Sequence, residues 1–238
     1  MTPTQQIRVA TEDIEYQYAD LPRLISLMTG DEKHSLAAES TLDVLWVLYD
    51  KILNVSPSTA DEPGRDRFYL SKGHGPMAYY ATLVAKGFFP EEWLPGWASY
   101  DSPLGQHPDR NLVPGVEISS GSLGHGLPLS VGTALGLKAQ GLGARVVVLV
   151  GDAELDEGSN HEAIELAGAL ALDGLTVVVV DNASSTYNQP GRIEQRFATE
   201  GWSTIAVDGR NQAALELALK QPTPGRPLVV VAQVEEKN

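Results

Sequence analysis

The chain has 238 residues, 42% of them hydrophobic, no cysteine and a formal net charge of −14 at pH 7. That length accommodates one large α/β domain with a sizeable core, here expected to span 1–238 with residues 1–12 loose, and leaves no room for a second catalytic domain of similar size. Without cysteine there is neither a disulfide nor a thiolate metal site, and a cytoplasmic location is the expectation. The acidic balance argues against nucleic acid as a partner, and the absence of a signal segment or a long apolar run argues against a membrane. An anionic ligand would have to be held locally, by helix-start N–H groups and a bound metal.

In chain order, leucines and isoleucines near helical spacing predict a first helix over 14–28, broken by Thr29-Gly30-Asp31. A longer helix follows over 36–53, with Leu42, Val44, Leu45, Leu48 and Ile52 on its apolar side. Residues 54–67 read as a surface loop and 67–70 as a short strand, leading through Ser71-Lys72-Gly73-His74-Gly75 into a small-residue helix over 76–86. A short helix over 91–98 sits in an aromatic stretch, and the glycine-rich run ending Gly121-Ser122-Leu123-Gly124-His125-Gly126 opens a helix over 127–138. Two β-branched runs, 146–150 and 176–180, read as strands buried on both faces. Between them Ser159-Asn160-His161-Glu162 has capping-box spacing and starts a helix extending up to Leu172. Residues 183–196 read as turn-rich, and a strand over 203–207, a helix over 211–220 and a strand over 227–234 complete an α/β fold, a mostly parallel central sheet with helices on both faces.

The β-α-β unit over 145–182 organises the rest. Its strands run in the same direction, so Asp152 and Asn182 leave the sheet together at the carboxyl edge, where open α/β sheets bind ligands. A carboxylate and an amide oxygen so placed suit a hard cation such as Mg²⁺, which completes its octahedron with water and phosphate oxygens. The alternative is that both residues merely cap loops, as Asp and Asn often do.

Gly151-Asp152, followed thirty residues after the aspartate by Asn182, resembles the thiamine-diphosphate motif of the transketolase-like enzymes. Gly151-Asp152-Ala153 stands where that family usually has Gly-Asp-Gly, a variant also found in the homodimeric pyruvate dehydrogenase branch. The resemblance implies that Asp152, the Asn182 side chain and the Ser184 backbone carbonyl hold Mg²⁺ (or Ca²⁺ or Mn²⁺), with Gly151, Ala153 and Glu154 beside the thiamine diphosphate. Ser71-Lys72-Gly73-His74 is similar to the family's Ser-x-Gly-His segment, and His107-Pro108-Asp109 to its His-Pro-Glu. The run from Pro114 to Gly126 is similar to its Thr-Gly-Pro-Leu-Gly-Gln-Gly, which implies that Gly121, Ser122 and Leu123 line the cofactor. His34 occupies the place of the family's Ser-Gly-His-Pro-Gly histidine, flanked here by Lys33 and Ser35, and reads equally as an ordinary polar cap. Glu157 falls on the acid of Gly-Asp-Gly-x-x-x-Glu, where the resemblance implies a carboxylate network between subunits rather than direct chemistry; the bland reading is a solvated acid.

The resemblance extends from about His34 to Val231 and covers only the diphosphate-binding half of a transketolase. It implies one subunit of a split enzyme, active only with a pyrimidine-binding partner, in an α2β2 arrangement. The implied reaction moves a two-carbon ketol unit from a ketose or its phosphate to an aldose, with His34, His74 and His107 as proton carriers. One alternative is the equivalent subunit of a 2-oxo acid dehydrogenase or decarboxylase, towards which Gly-Asp-Ala-Glu-Leu-Asp-Glu at 151–157 leans. Another is a non-catalytic thiamine-diphosphate-binding subunit. A dinucleotide site is the remaining rival, because Gly-x-x-Gly-x-Gly at 121–126 opens a helix, but it leaves the pairing of Asp152 with Asn182 unexplained.

Overall fold

A computed structural model describes residues 15–29, 39–187 and 189–236. Five short runs form the strands, an aromatic one and four rich in β-branched residues: β1 Arg67–Leu70, β2 Val146–Gly151, β3 Leu175–Asp181, β4 Ser203–Asp208 and β5 Leu228–Gln233. All neighbours pair in parallel, in the order β1-β2-β3-β5-β4. The two central runs are the most apolar because both of their faces are covered. β2 is buried along its whole length, whereas β4, an edge strand, alternates between half-buried and exposed.

Among the described residues the α-helices are α1 Leu21–Ser26, α2 Leu42–Val47, α3 Met77–Ala85, α4 Gly126–Ala139, α5 Gly158–Ala169, α6 Arg192–Thr199 and α7 Gln212–Leu219. The period-two alternation of a strand sorts them into two layers. Val147, Leu149, Val178, Val180 and Val230 point to the face covered by α1, α2, α3 and α7. Val146, Val148, Val150, Val177 and Val179 point to the face covered by α4, α5 and α6. The parallel sheet between two helical layers is the architecture expected from the sequence.

Several elements differ in detail from the expectation. The first helix is a 3-10 turn, Tyr18–Asp20, running into α1, whose Pro22 suits a helix start because it lacks an N–H. The second is α2 continued by a π turn, Leu48–Ile52, and its expected residues 36–38 lie outside the described part, as do residues 1–12 and His34. Over 91–98 the chain forms a 3-10 helix, Glu91–Gly96, with Pro95 inside it. The capping box at Ser159 does not form. Helix α5 starts at Gly158 with Glu157 as its N-cap, and the Ser159 hydroxyl donates instead to the Gly124 carbonyl at 2.7 Å. The stretch read as turn-rich contains α6, which buries Phe197 edge-on against Trp202 at 5.0 Å between ring centroids. Ile193, one turn before Phe197, packs on the same core, so a short amphipathic stripe marks the helix inside an otherwise polar stretch. Helix α7 is capped by Asn211, whose side chain accepts from Ala214 N at 3.0 Å.

Candidate functional site

Because every strand points the same way, Ser71, Asp152, Asn182, Arg210 and Glu235 all emerge at one edge of the sheet. The β2–β3 register pairs Gly151 with Val180, and Asp152 N donates to Val180 O at 3.2 Å, so Asp152 lies against the end of β3. Its carboxylate accepts from Ser184 Oγ on Oδ1 at 2.7 Å and from Ser185 N on Oδ2 at 2.9 Å. Ala183 makes this return possible by adopting a left-handed backbone, φ 55°, a conformation that costs a residue with a β-carbon about 1–2 kcal/mol. Beside it, burial pushes the Asp181 carboxyl up, the Ala183 N–H opposes that by donating to it at 3.1 Å, and the charge of Asp152 adds to the rise.

Asn182 is only 7% exposed, and among the described residues its buried Oδ1 finds no hydrogen-bond donor. Leaving such an oxygen unsatisfied costs about 1–3 kcal/mol. A cation between Asn182 Oδ1 and the buried Asp152 would remove that cost, and an all-oxygen donor set suits Mg²⁺. No group of three or more acidic or histidine side chains poised for a metal occurs among the described residues. The pair therefore fits an ion that draws its other ligands from water and phosphate rather than a cage built by protein alone.

The glycine-rich loop forms the opposite wall. A β-carbon on Gly121, whose φ is 132°, would stand 2.7 Å from the His107 ring, and one on Gly126, the first residue of α4, would stand 2.3 Å from Ser71 Cβ. Both positions therefore exclude side chains, which brings the backbone of the loop and of the α4 start close to the cleft, although the Gly124 and Gly126 N–H groups are already given to Glu154 and Ser71. His74 and His107 meet edge-to-face at 5.0 Å between ring centroids. Glu154 is 2% exposed, and burial pushes its carboxyl up. Its oxygens are engaged by the chain itself, through Ser71 Oγ, Gly124 N at 3.0 Å and Gly151 N at 3.3 Å.

The expected residues His74, Leu123, Gly151, Asp152, Ala153, Glu154, Asn182 and Ser184 line a single cleft of about 480 Å³. His107 and Gly121 adjoin it through the two ring contacts. Ser122 and Glu157 are exposed and outside its lining, with Glu157 at the head of α5, near Gly124. Six further lining residues escaped the sequence reading: Glu39, Ser40, Lys72, Arg210, Glu235 and Glu236. Lys72 Nζ donates to Ser40 Oγ at 2.9 Å. Arg210 grips Glu235 with Nη2 at 2.7 Å and Nε at 2.9 Å, and reaches Glu39 O at 2.7 Å. Lys72 could have been noticed inside the His74 motif, and Arg210 from its place just after β4. The two are cations among five carboxylates of the lining, Glu39, Asp152, Glu154, Glu235 and Glu236, and Arg210 is paired with Glu235 and Asp43.

The model of the transketolase thiamine diphosphate binding domain matches residues 28–233, and the chain belongs to that family. Its sheet and helices superpose on the transketolase of Leishmania mexicana with a TM-score of 0.76 and 25% identity, covering 92% of this chain and 37% of that one. Among known proteins, the protein called ferredoxin Fas2 of Rhodococcoides fascians is 55% identical over 228 residues, which is 95% of this chain and 75% of Fas2. An apulose-4-phosphate transketolase subunit of Actinobacillus succinogenes is 43% identical over 145 residues, 61% of this chain and 52% of that protein. The 6-deoxy-6-sulfo-D-fructose transketolase subunit SqwG of a Clostridium species is 32% identical over 200 residues, 81% of this chain and 73% of SqwG. The chain thus spans about half to three quarters of these three relatives and about a third of a transketolase such as that of Sinorhizobium medicae. No cysteine occurs in the 238 residues, so this sequence has no thiolate to ligate an iron–sulfur cluster. No helix among the described residues is long and apolar enough to cross a membrane.

Proposed function

We propose that this chain is the diphosphate- and Mg²⁺-binding subunit of a split transketolase, moving a two-carbon ketol unit from a ketose or its phosphate to an aldose or its phosphate. The observation that carries the metal site is the buried Asn182 Oδ1, which has no donor among the described residues and belongs to a residue lining the same cleft as the buried Asp152. Asp152, the Asn182 side chain and the Ser184 backbone carbonyl hold Mg²⁺, and the glycine loop around Gly121, Ser122 and Leu123 lies against the cofactor. Lys72 and Arg210 add positive charge on the cleft walls. When bound, thiamine diphosphate supplies the electron sink that carbon–carbon transfer needs. His74 and His107, together with His34, bind substrate oxygens and move protons, roles suited to imidazoles near neutral pH. Glu157 is exposed at the head of α5 and faces a second subunit that carries the pyrimidine half of the site. The split relatives named as subunits support that reading, and two copies of each chain is the arrangement it favours.

Calorimetry on the purified chain, alone and with a co-expressed pyrimidine-binding subunit, tests this. Thiamine diphosphate is expected to bind only with Mg²⁺ present, and turnover of a ketose phosphate with an aldose acceptor is expected only for the pair. Binding indifferent to Mg²⁺ would overturn the metal site. Turnover of pyruvate instead of a ketose would reassign the pair to 2-oxo acid chemistry, the reading towards which Gly-Asp-Ala-Glu-Leu-Asp-Glu at 151–157 leans.

A further inference from the structure

Three segments remote in sequence line the cleft: the one after β1 through Lys72 and His74, the glycine loop through Leu123 and the end of β2 through Gly151 and Asp152, with Ser71, Gly124 and Gly126 adjoining in the chain. One side chain touches all three. Glu154 Oε1 accepts from Ser71 Oγ and from Gly124 N at 3.0 Å, and Oε2 accepts from Gly151 N at 3.3 Å. Ser71 Oγ in turn accepts from Gly126 N at 2.9 Å, so its own proton is the one given to Glu154. The first turn of α5 closes the ring: Asn160 Nδ2 donates to Glu154 O at 2.6 Å and Ser159 Oγ to Gly124 O at 2.7 Å.

We infer that Glu154 is a positioning residue that holds the glycine loop and the Asp152 strand end at one fixed spacing before any cofactor arrives. Its carboxyl is buried at 2% exposure and engaged by protein donors, so it is not a ligand waiting for a cation. Hydrogen bonds to a buried acid are stronger than those between neutral groups, and they are the direct side-chain links seen here between loop and strand end. The diphosphate donors at the loop and the metal donor at Asp152 must address one ligand together, and a small loss of register between them costs affinity. That last step rests on the thiamine-diphosphate reading; the staple itself does not.

Site-resolved amide hydrogen exchange on the full chain without cofactor tests the staple. In E154A the amides of Gly124 and Gly151 are expected to exchange roughly tenfold faster or more, the scale of losing a buried bond to an acid, while those of Val148, Val178 and Val230 stay unchanged. E154Q keeps an oxygen for Ser71 and Gly124 and loses only the long Gly151 contact, so Gly124 exchange is expected to return close to its original rate. Unchanged Gly124 and Gly151 rates in E154A, or an equal rise at every amide, would overturn the proposal. If E154A does not fold, S71A probes the adjoining joint, with faster exchange expected at Gly126 and an unchanged rate there overturning the link. In calorimetry with saturating Mg²⁺, E154A is expected to bind thiamine diphosphate about tenfold more weakly, with E154Q restoring most of the affinity. A parent chain that binds no thiamine diphosphate would remove the cofactor reading while the exchange result still decides the staple.

Discussion

The middle and the carboxyl end of the same strands obey opposite rules. Across their middle, β2 and β3 present valine and leucine to both helical layers, and every side chain from Val177 to Val180 is fully buried. At the end of those strands the chain buries Asp152, Glu154 and Asn182, leaves Asn182 Oδ1 without a donor among the described residues, and holds Ala183 in a left-handed turn. Each buried valine or leucine contributes about 1.5–3 kcal/mol, so a handful of them offsets the few kcal/mol stored at the edge. A rigid apolar sheet thus lets a polar, strained edge persist, and such strain gathers at functional positions.

The largest test of this contrast separates function from stability. D152A is expected to weaken Mg²⁺-dependent thiamine diphosphate binding by roughly a hundredfold or more in calorimetry, with the far-ultraviolet circular dichroism of the parent retained. Undiminished binding would mean that Asp152 only ties the 184–185 turn. The reverse experiment strikes the core: L149A removes a fully buried side chain and is expected to cost about 2–5 kcal/mol in urea unfolding. A loss below about 1 kcal/mol would show that the sheet is not the stabilising partner of the pair.

At the edge itself, A183G should relax the left-handed turn and raise stability by about 0.5–1 kcal/mol, the relief being partly offset by glycine's freer unfolded chain. A destabilised A183G would show that the turn carries no strain. The smallest effect lies far from the edge, at the ion pair of Arg23 and Glu91, 2.7 Å apart. The Arg23 guanidinium holds the Glu91 carboxyl below the usual carboxylate range, against the opposing effect of partial burial. A carboxyl lowered on folding contributes stability above its unfolded pKa and loses it as pH falls through the folded value. E91Q is therefore expected to be slightly less stable than the parent at pH 7, by at most about 1 kcal/mol, with the gap closing below about pH 4. A gap that persists in acid would assign the effect to packing or to the Tyr16 hydroxyl, which donates to Glu91 Oε2 at 2.7 Å.

Much of the molecule was determined by the sequence alone. The five strands, the β-α-β unit and the meeting of Asp152 with Asn182 follow from apolar runs of strand length ending in polar residues, because burial on two faces demands such runs and parallel connection puts their ends together. The grouping of His74, Leu123 and the 151–154 segment in one cleft was legible only through motif resemblance, since nothing local links loops so far apart in sequence. Tertiary structure alone decided the rest. Helix α6 is seated by Ile193 and Phe197, the latter against Trp202, and Ser159 abandons its cap because the Gly124 carbonyl lies within reach. Glu154 turns inward because three donors from separate segments converge on it, and Arg210 joins the cleft because β4 ends at the same edge as β2. For the last three the physical reason is shared: a contact between segments remote in sequence, such as Ser159 with Gly124 or Glu154 with Ser71, leaves no periodic trace, whereas burial of a strand or helix face repeats every two or every 3.6 residues and can be read there.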